Sequence, residues 1–536
     1  MDDSFLNDLS VTQNILDDEE LKNLLNSDNS VDTKEFQMYL KRLYHYYKGG
    51  GWGPIISRHI LNICNVIFQI ITSYIFVFCF NWTELLNCDA NCGDIVDYIA
   101  FSKTWEAITY MIFGCTYTVY TIITSIRLIK GLRSIDRLCC QRNITQELNY
   151  LNWETFYRQM GVTLQPHDVA QKIMQQDNFI IALINNELIE TKFYGIPIFN
   201  HQLETIFRYC IFNVDNFAWH TGGKLTKKFK MIGWLYALAL PVILPLTVIY
   251  SVSRNIDILY IQKQYLGPRT YPLQQVWLLR QYNELPHFLY KRLKRSEVLL
   301  NRYFKNIRSP SKERIAKAIQ VFTGTILMFI IIISILDDNL LLGMTIWGKS
   351  VLWHLAFWVT ISTAARTFIP DTIPEPNLDT LLLEWSGESH YLPNRWYRDP
   401  TSKDTINELG LVFPTKLVKI GFDILGCILT PYILIKCWAS ASGDIIDFIH
   451  NHSYYTSDIG QICTLSSLDL NTYGNERYGP QSGSLSEYSK KGKLEKSIIN
   501  FGINYQEEHN EVIKQFPGII SNGNINMVKY MTSLTS

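Results

Sequence analysis

Six long apolar stretches, and the charges that flank them, constrain this chain more than any other feature. Four of them, residues 57–80, 105–128, 318–336 and 350–369, have the length and the asymmetric charge flanks of membrane-spanning helices. The other two, residues 231–253 and 417–439, carry basic residues on both sides and proline inside. At ~1.5 Å per residue the stretch 231–253 is long enough to cross ~30 Å of hydrocarbon. Were it to cross, the segment from Arg254 to Lys317, with fourteen Lys and Arg against four acids, would face the lumen beside membrane helices. Cationic juxtamembrane loops stay cytosolic, so both stretches are expected to dip into the bilayer and return to the same face. Pro241, Pro245 and Pro431 are expected to break the backbone ladder at those re-entrant turns; for the first stretch a kinked spanning helix is the alternative.

The remaining charges fix the orientation. Lys41, Arg42, Lys48 and Arg58 precede the first span, and Glu84, Asp89, Asp94 and Asp97 follow it, so its amino end is cytosolic. Arg127, Lys130, Arg133, Arg137 and Arg142 return the second span to the cytosol. Lys317 and Asp337 bracket the third in the same sense, and Arg366 closes the fourth. Both termini are therefore expected on the cytosolic face. The expected organisation is a flexible cytosolic segment (1–40), a first pair of spans with a lumenal loop (41–130) and a cytosolic helical region (131–317). A second pair of spans (318–369), a further cytosolic region (370–505) and a tail (506–536) follow.

With 47% hydrophobic residues, 13% aromatic residues and zero formal charge over 536 residues, the chain fits neither a disordered polymer nor a nucleic-acid binder. It opens on the acidic run MDDSFLNDLS, without a cationic start and apolar core, so the first span is expected to do the targeting. Cys88 and Cys92 fall in the lumenal loop, where a disulfide is one option. Cys139 and Cys140 are open to either acylation or a structural role. The short signal Glu20, Leu24, Leu25 resembles an acidic dileucine sorting motif.

Polar residues inside the spans are the candidate functional groups. Asn62, Asn65, Gln69 and Thr72 share one face of the first span, and Thr109, Thr116, Tyr120 and Thr124 share one face of the second. The fourth adds His354, Thr363 and Arg366. Such groups at membrane depth face a bundle interior or a wet cavity, or simply bond helix to helix. From Asn283 to Phe304 a basic amphipathic pattern suits either an anionic membrane surface or packing against a cytosolic domain. No phosphate loop, no HExxH and no paired CxxC occurs, so no ATP-driven engine, metal site or cofactor is expected.

Several ungapped motifs, LLRQYNELPHFLYKRL, NRYFKNIRSPSKERIAK, ARTFIPD, HYLPNRW, ILTPYILIKCW and GDIIDFIHNH, resemble the core of the autophagy-related protein 9 family, in order over about residues 40 to 505. The resemblance implies an all-α polytopic homotrimer with four spanning and two re-entrant helices per subunit. It implies a passive, ATP-independent phospholipid scramblase, not a hydrolytic enzyme, on Golgi-derived and endosomal vesicles and the preautophagosomal structure. It also implies partnership with the lipid-transfer autophagy-related protein 2 and with an autophagy initiation scaffold. Carried onto this sequence, the family's motifs put Arg366 and Thr363 on the lipid path, while Lys263 and Arg269 are the only cations where the family has a charged cluster. His354, Asn65 and Gln69 complete the expected path. The alternative is a non-transporting vesicle scaffold that recruits autophagy factors.

Overall fold

The computed structural model describes residues 33–86, 98–101, 104–145, 148, 150–212, 222–255, 269–307, 310–336, 345–366, 369, 378–456, 460–473, 492–505, 520–521 and 524–525. Glu20, Leu24, Leu25, Cys88, Cys92 and Lys263 lie outside the described residues. Helices dominate, and the strands form four separate two-stranded hairpins. Among the described residues, five helices are long and apolar enough to cross a membrane: Trp52–Cys79, Trp105–Gln141, Gly222–Arg254, Glu313–Ile332 and Lys416–Trp438. The fourth expected span is shorter than these, a 16-residue helix from Val351 to Arg366.

The first span follows Gly51, whose φ of 94° at the N-cap is a backbone state that glycine reaches without strain. Its partner helix begins behind Thr104, whose hydroxyl accepts from the Ala107 N–H. The two meet at Gly114, where a Cβ would come 2.6 Å from Ile70 Cγ2. That close approach is the small-residue packing that membrane helices use in place of a hydrophobic drive. The partner helix does not stop at the bilayer edge expected near residue 128. It runs on to Gln141, and Leu132, Ile135 and Leu138 enter the core of the body packed on that end.

The prolines do not act as expected. Pro241 and Pro245 sit inside one continuous helix, Gly222–Arg254. A membrane helix tolerates proline when neighbours cover the freed carbonyls, and this one packs along Lys416–Tyr432 and the turns after it. Gly233 lets the two backbones close up, since a Cβ there would meet Ile435 at 2.6 Å. At Pro431 there is no break either: the α-helix ends at Tyr432 and passes directly into a π-helical segment, Ile433–Trp438. The wider i→i+5 turn accommodates a residue that has no N–H to give.

The body outside the long apolar helices has two cores. The first gathers Tyr44, Trp153, Phe156, Phe179, Phe207, Trp438 and Ile498, and the second gathers Tyr271, Leu293, Leu300, Trp385, Trp396 and Phe413. Burying each large apolar side chain of this kind contributes about 1.5–3 kcal/mol. The amphipathic helix expected from Asn283 spans Pro286–Asn306 and turns Leu289, Leu293 and Leu300 inward against Leu378–Ser389, so packing, not a membrane surface, takes its apolar face. Cys139 is likewise buried, with its thiol 3.8 Å from Met160 Sδ, whereas Cys140 is exposed.

The start of the Gly222–Arg254 helix and the chain that resumes at Arg269 both touch this body. At its start Phe229 packs edge-on to Trp438, ring centres 5.8 Å apart, and Thr226 hydrogen-bonds Ser442. Beyond its far end Arg269 pairs with Thr415 in an antiparallel bridge, and the Thr270 N–H donates to the Pro414 carbonyl at 3.1 Å.

Candidate functional site

The structure turns the polar stripe of the first span away from its partner helix. Asn62, Asn65 and Thr72 are exposed and Gln69 is half-buried, while His59 faces Ser125 at 3.3 Å and Ser73 bonds Tyr110 on the packed side. On the second span Thr116 and Thr124 give their hydroxyl protons to their own helix, at 2.7 Å to Ile112 O and 3.0 Å to Tyr120 O. The interhelical seam is thus bonded by His59, Ser73, Tyr110 and Ser125, and the stripe read from the sequence looks outward.

The other expected path residues are not brought together. Thr363 donates to the Val359 carbonyl at 2.8 Å, and Arg366 is exposed at the last turn of its helix. His354 is buried at the opposite end, about 18 Å along the axis at ~1.5 Å per residue. Its Nε2 lies 3.0 Å from the Ile346 carbonyl, which pins the Thr345–Ser350 hairpin. Arg269 is held by the fold: its guanidinium lies 3.7 Å over the Phe304 ring and donates to Phe413 O at 2.9 Å. Burial lowers its pKa to about 10, which leaves it charged at neutral pH.

A different polar seam lies between the Gly222–Arg254 and Lys416–Tyr432 helices. Tyr236 donates its hydroxyl proton to the Gln202 amide oxygen, and Gln202 Nε2 donates to Thr247 Oγ1 at 3.2 Å. Cys427 Sγ lies 3.3 Å from the Tyr236 hydroxyl and 3.8 Å from Thr247 Oγ1. Gln202 belongs to the helix His201–Phe212, whose Leu203 and Phe207 lie in the body's core, so the seam connects the body to the helix pair. Lys419 and Asp423 stand one turn apart on the same helix, and Asp423 also feels His201 and Arg254. The signal was present in LVKIGFD, a lysine and an aspartate at four-residue spacing inside an apolar run, where a flanking-charge reading counts only the lysine. Gln202 carries no such signal, since only folding brings it to Tyr236. These groups can exchange hydrogen bonds with a passing polar molecule. Among the described residues no group of His, Cys, Asp and Glu is arranged to hold a metal ion.

The charged residues of RQYNELPHFLYKRL do something else again. Arg280 lies 3.0 Å from Asp177, which Arg208 also reaches at 2.5 Å, and Arg208 meets Glu204 at 3.2 Å. Burial on its own would raise the Asp177 carboxyl, but Arg208 and Arg280 hold it below the usual carboxylate range. Asn283, at φ 55°, exchanges hydrogen bonds with Asn178 at 2.8 and 3.0 Å. The motif is the hub of the body's fold.

A family model described as Autophagy protein ATG9 matches residues 28–469. The chain is 23% identical over 486 residues to autophagy-related protein 9 of Vanderwaltozyma polyspora, covering 82% of this chain and 50% of that one. It is 25% identical over 567 residues to the Arabidopsis thaliana protein of that name, covering 92% and 64%. The chain therefore spans about half to two thirds of the length of these relatives. Its fold is similar to that of the cryo-EM structure of Schizosaccharomyces pombe Atg9, with a TM-score of 0.61 at 22% identity, covering 81% of this chain and 99% of that one.

Proposed function

The chain belongs to the Autophagy protein ATG9 family, a family of autophagy membrane proteins, and on that premise we propose that it is a passive phospholipid scramblase. In this reading it is a homotrimer on Golgi-derived and endosomal vesicles and the preautophagosomal structure. It redistributes lipid between leaflets as the autophagosome membrane grows, beside the lipid-transfer autophagy-related protein 2 and the initiation scaffold. The observation that carries the reading is the seam of Gln202, Tyr236, Thr247 and Cys427 between two otherwise apolar helices, with Lys419 and Asp423 beside it. A headgroup leaving water loses hydrogen bonds, and fixed donors, acceptors and a cation in the membrane replace part of what it loses. Asn65 and Gln69, outward on the first span, and Thr363 and Arg366, at the cytosolic end of the fourth, extend the proposed route. Arg269 and His354, engaged with Phe413 and Ile346, are assigned to holding the fold.

Two re-entrant helices belong to the proposal, with both chain termini cytosolic. The contact of the start of Gly222–Arg254 with the body, and the return of the chain to that body at Arg269, support it. Reconstitution into liposomes with a fluorescent lipid that an external reductant bleaches only in the outer leaflet tests the function. A scramblase lets the reductant bleach nearly all the signal. Protection of the inner-leaflet half, in correctly assembled protein, would leave the non-transporting scaffold reading.

A further inference from the structure

The two helices of the second membrane pair do not match in height. Phe322 of Pro310–Leu336 packs edge-on to Trp358 of Val351–Arg366, ring centres 5.8 Å apart, which sets the register of the pair. Leu336 lies fourteen residues beyond Phe322, but Val351 lies only seven before Trp358. At ~1.5 Å per residue, the second helix therefore begins about 10 Å short of the end of the first. The hairpin Thr345–Ser350 thus starts about 10 Å inside the level at which its neighbour's apolar stretch ends.

That hairpin is polar backbone with a charged residue. Only Ile346 and Lys349 pair across the turn beyond the Thr345–Ser350 pair, and the turn residues Trp347 and Gly348 have φ of 50° and 75°. Trp347 is 94% exposed and Lys349 is exposed. Irregular backbone at membrane depth is tolerated only where protein covers it or water reaches it, and among the described residues nothing covers Trp347 or Lys349. We propose that the hairpin lines an aqueous vestibule sunk into the lumenal leaflet, with Trp347 lying among the lipid headgroups and upper acyl chains and Lys349 facing their phosphates. The 16-residue helix behind it spans about 24 Å against ~30 Å of hydrocarbon, so the apolar barrier is thinnest beside this helix. A tryptophan's amphipathic ring suits the interface, and a lysine offers a phosphate a point charge that does not lock it in place. The inference rests on the membrane-spanning reading of this helix pair and deepens the proposed function by placing a lumenal entrance for phospholipid headgroups.

The test uses the full chain in phosphatidylcholine nanodiscs, with two readouts independent of lipid transport. The first is the fluorescence difference between the unmodified protein and Trp347→Phe, with and without lipids brominated on the upper acyl chain. The second is hydrogen exchange at the Trp347 and Gly348 amides. A sunken wet vestibule gives loss of the Trp347 emission in brominated lipid together with fast exchange. Emission that bromine leaves unchanged places the hairpin outside the leaflet, and amides that fail to exchange make the site dry; either result overturns the proposal. Failure of the unmodified chain to scramble lipid would instead remove the proposed function and leave these readouts interpretable.

Discussion

Arg292 grips Glu284 with both arms of its guanidinium, Nε 2.7 Å from Oε1 and Nη2 2.8 Å from Oε2, and their chain neighbours Leu285 and Leu293 belong to the first and the second core. The same guanidinium donates to Leu279 O at 2.9 Å and to Glu388 O at 2.8 Å. Burial alone would raise the Glu284 carboxyl, and Arg292 brings it below the usual carboxylate range. Truncating one member of a buried pair strands the other charge. Arg292→Ala is expected to destabilise the body by ~3–5 kcal/mol, and the double variant with Glu284→Ala by less than the sum of the two single changes. Thermal unfolding in detergent, followed by tryptophan fluorescence, measures this; additive losses would show that the pair is not coupled.

His287 supplies a pH dependence with a definite sign. Its Nδ1 lies 2.8 Å from the Tyr44 hydroxyl, and burial, with Lys48 and Lys291 nearby, lowers its pKa from 6.5 to about 4. A base whose folded pKa is depressed takes up its proton more readily when unfolded. Its contribution is therefore intact above pH 6.5 and lost progressively as pH falls toward about 4, by ~3 kcal/mol at most. His287→Gln should flatten the stability-versus-pH curve in that window; an unchanged acid limb would assign it to other groups.

Gly114 sets how closely the first two spans approach. Gly114→Val drives a side chain into Ile70, whose Cγ2 already lies 2.6 Å from the position of a Cβ. The expected loss is ~1–3 kcal/mol of packing, read as a lower thermal midpoint of the purified protein. Ile70→Ala in the same chain should restore part of it.

The seam between the two proline-containing helices is the direct test of transport. Tyr236→Phe with Thr247→Val removes the hydroxyls that meet Gln202 and Cys427 while keeping shape. Interhelical hydrogen bonds in membranes are worth about 0.6–2 kcal/mol each, so lipid exchange between leaflets should slow by roughly three- to thirtyfold if headgroups use these groups. Equal rates in a correctly assembled variant would move the route elsewhere, with Arg366→Leu as the next variant to compare.

How much of this was legible in the sequence depends on the kind of signal. Apolar runs with charged flanks located the membrane helices, because length and charge are local properties. The second span's continuation to Gln141 was hidden, since Leu132, Ile135 and Leu138 belong to an ordinary amphipathic stripe that becomes core only when the cytosolic body folds onto it. Proline misled at Pro241 and Pro245: its cost is paid in the backbone of one helix, but whether a break results is decided by the neighbour that packs alongside. Arg269 and His354 have the right residue types for a lipid path, yet their partners, Phe413 and Ile346, are chosen by tertiary structure and turn them into clasps. The seam through Gln202 required two segments distant in sequence to meet.

The unbroken run of Trp105–Gln141 has a mechanical consequence. Thirty-seven residues make a rod about 55 Å long, of which only ~30 Å can sit in hydrocarbon. Its remainder is embedded in the body, where Asp136 accepts a hydrogen bond from Tyr46 at 2.7 Å and Ile135 and Leu138 are buried. One unbroken helix thus carries both the seam with the first span at Gly114 and the packing of the body at Ile135 and Leu138, so a tilt of the one is passed to the other as a lever passes it.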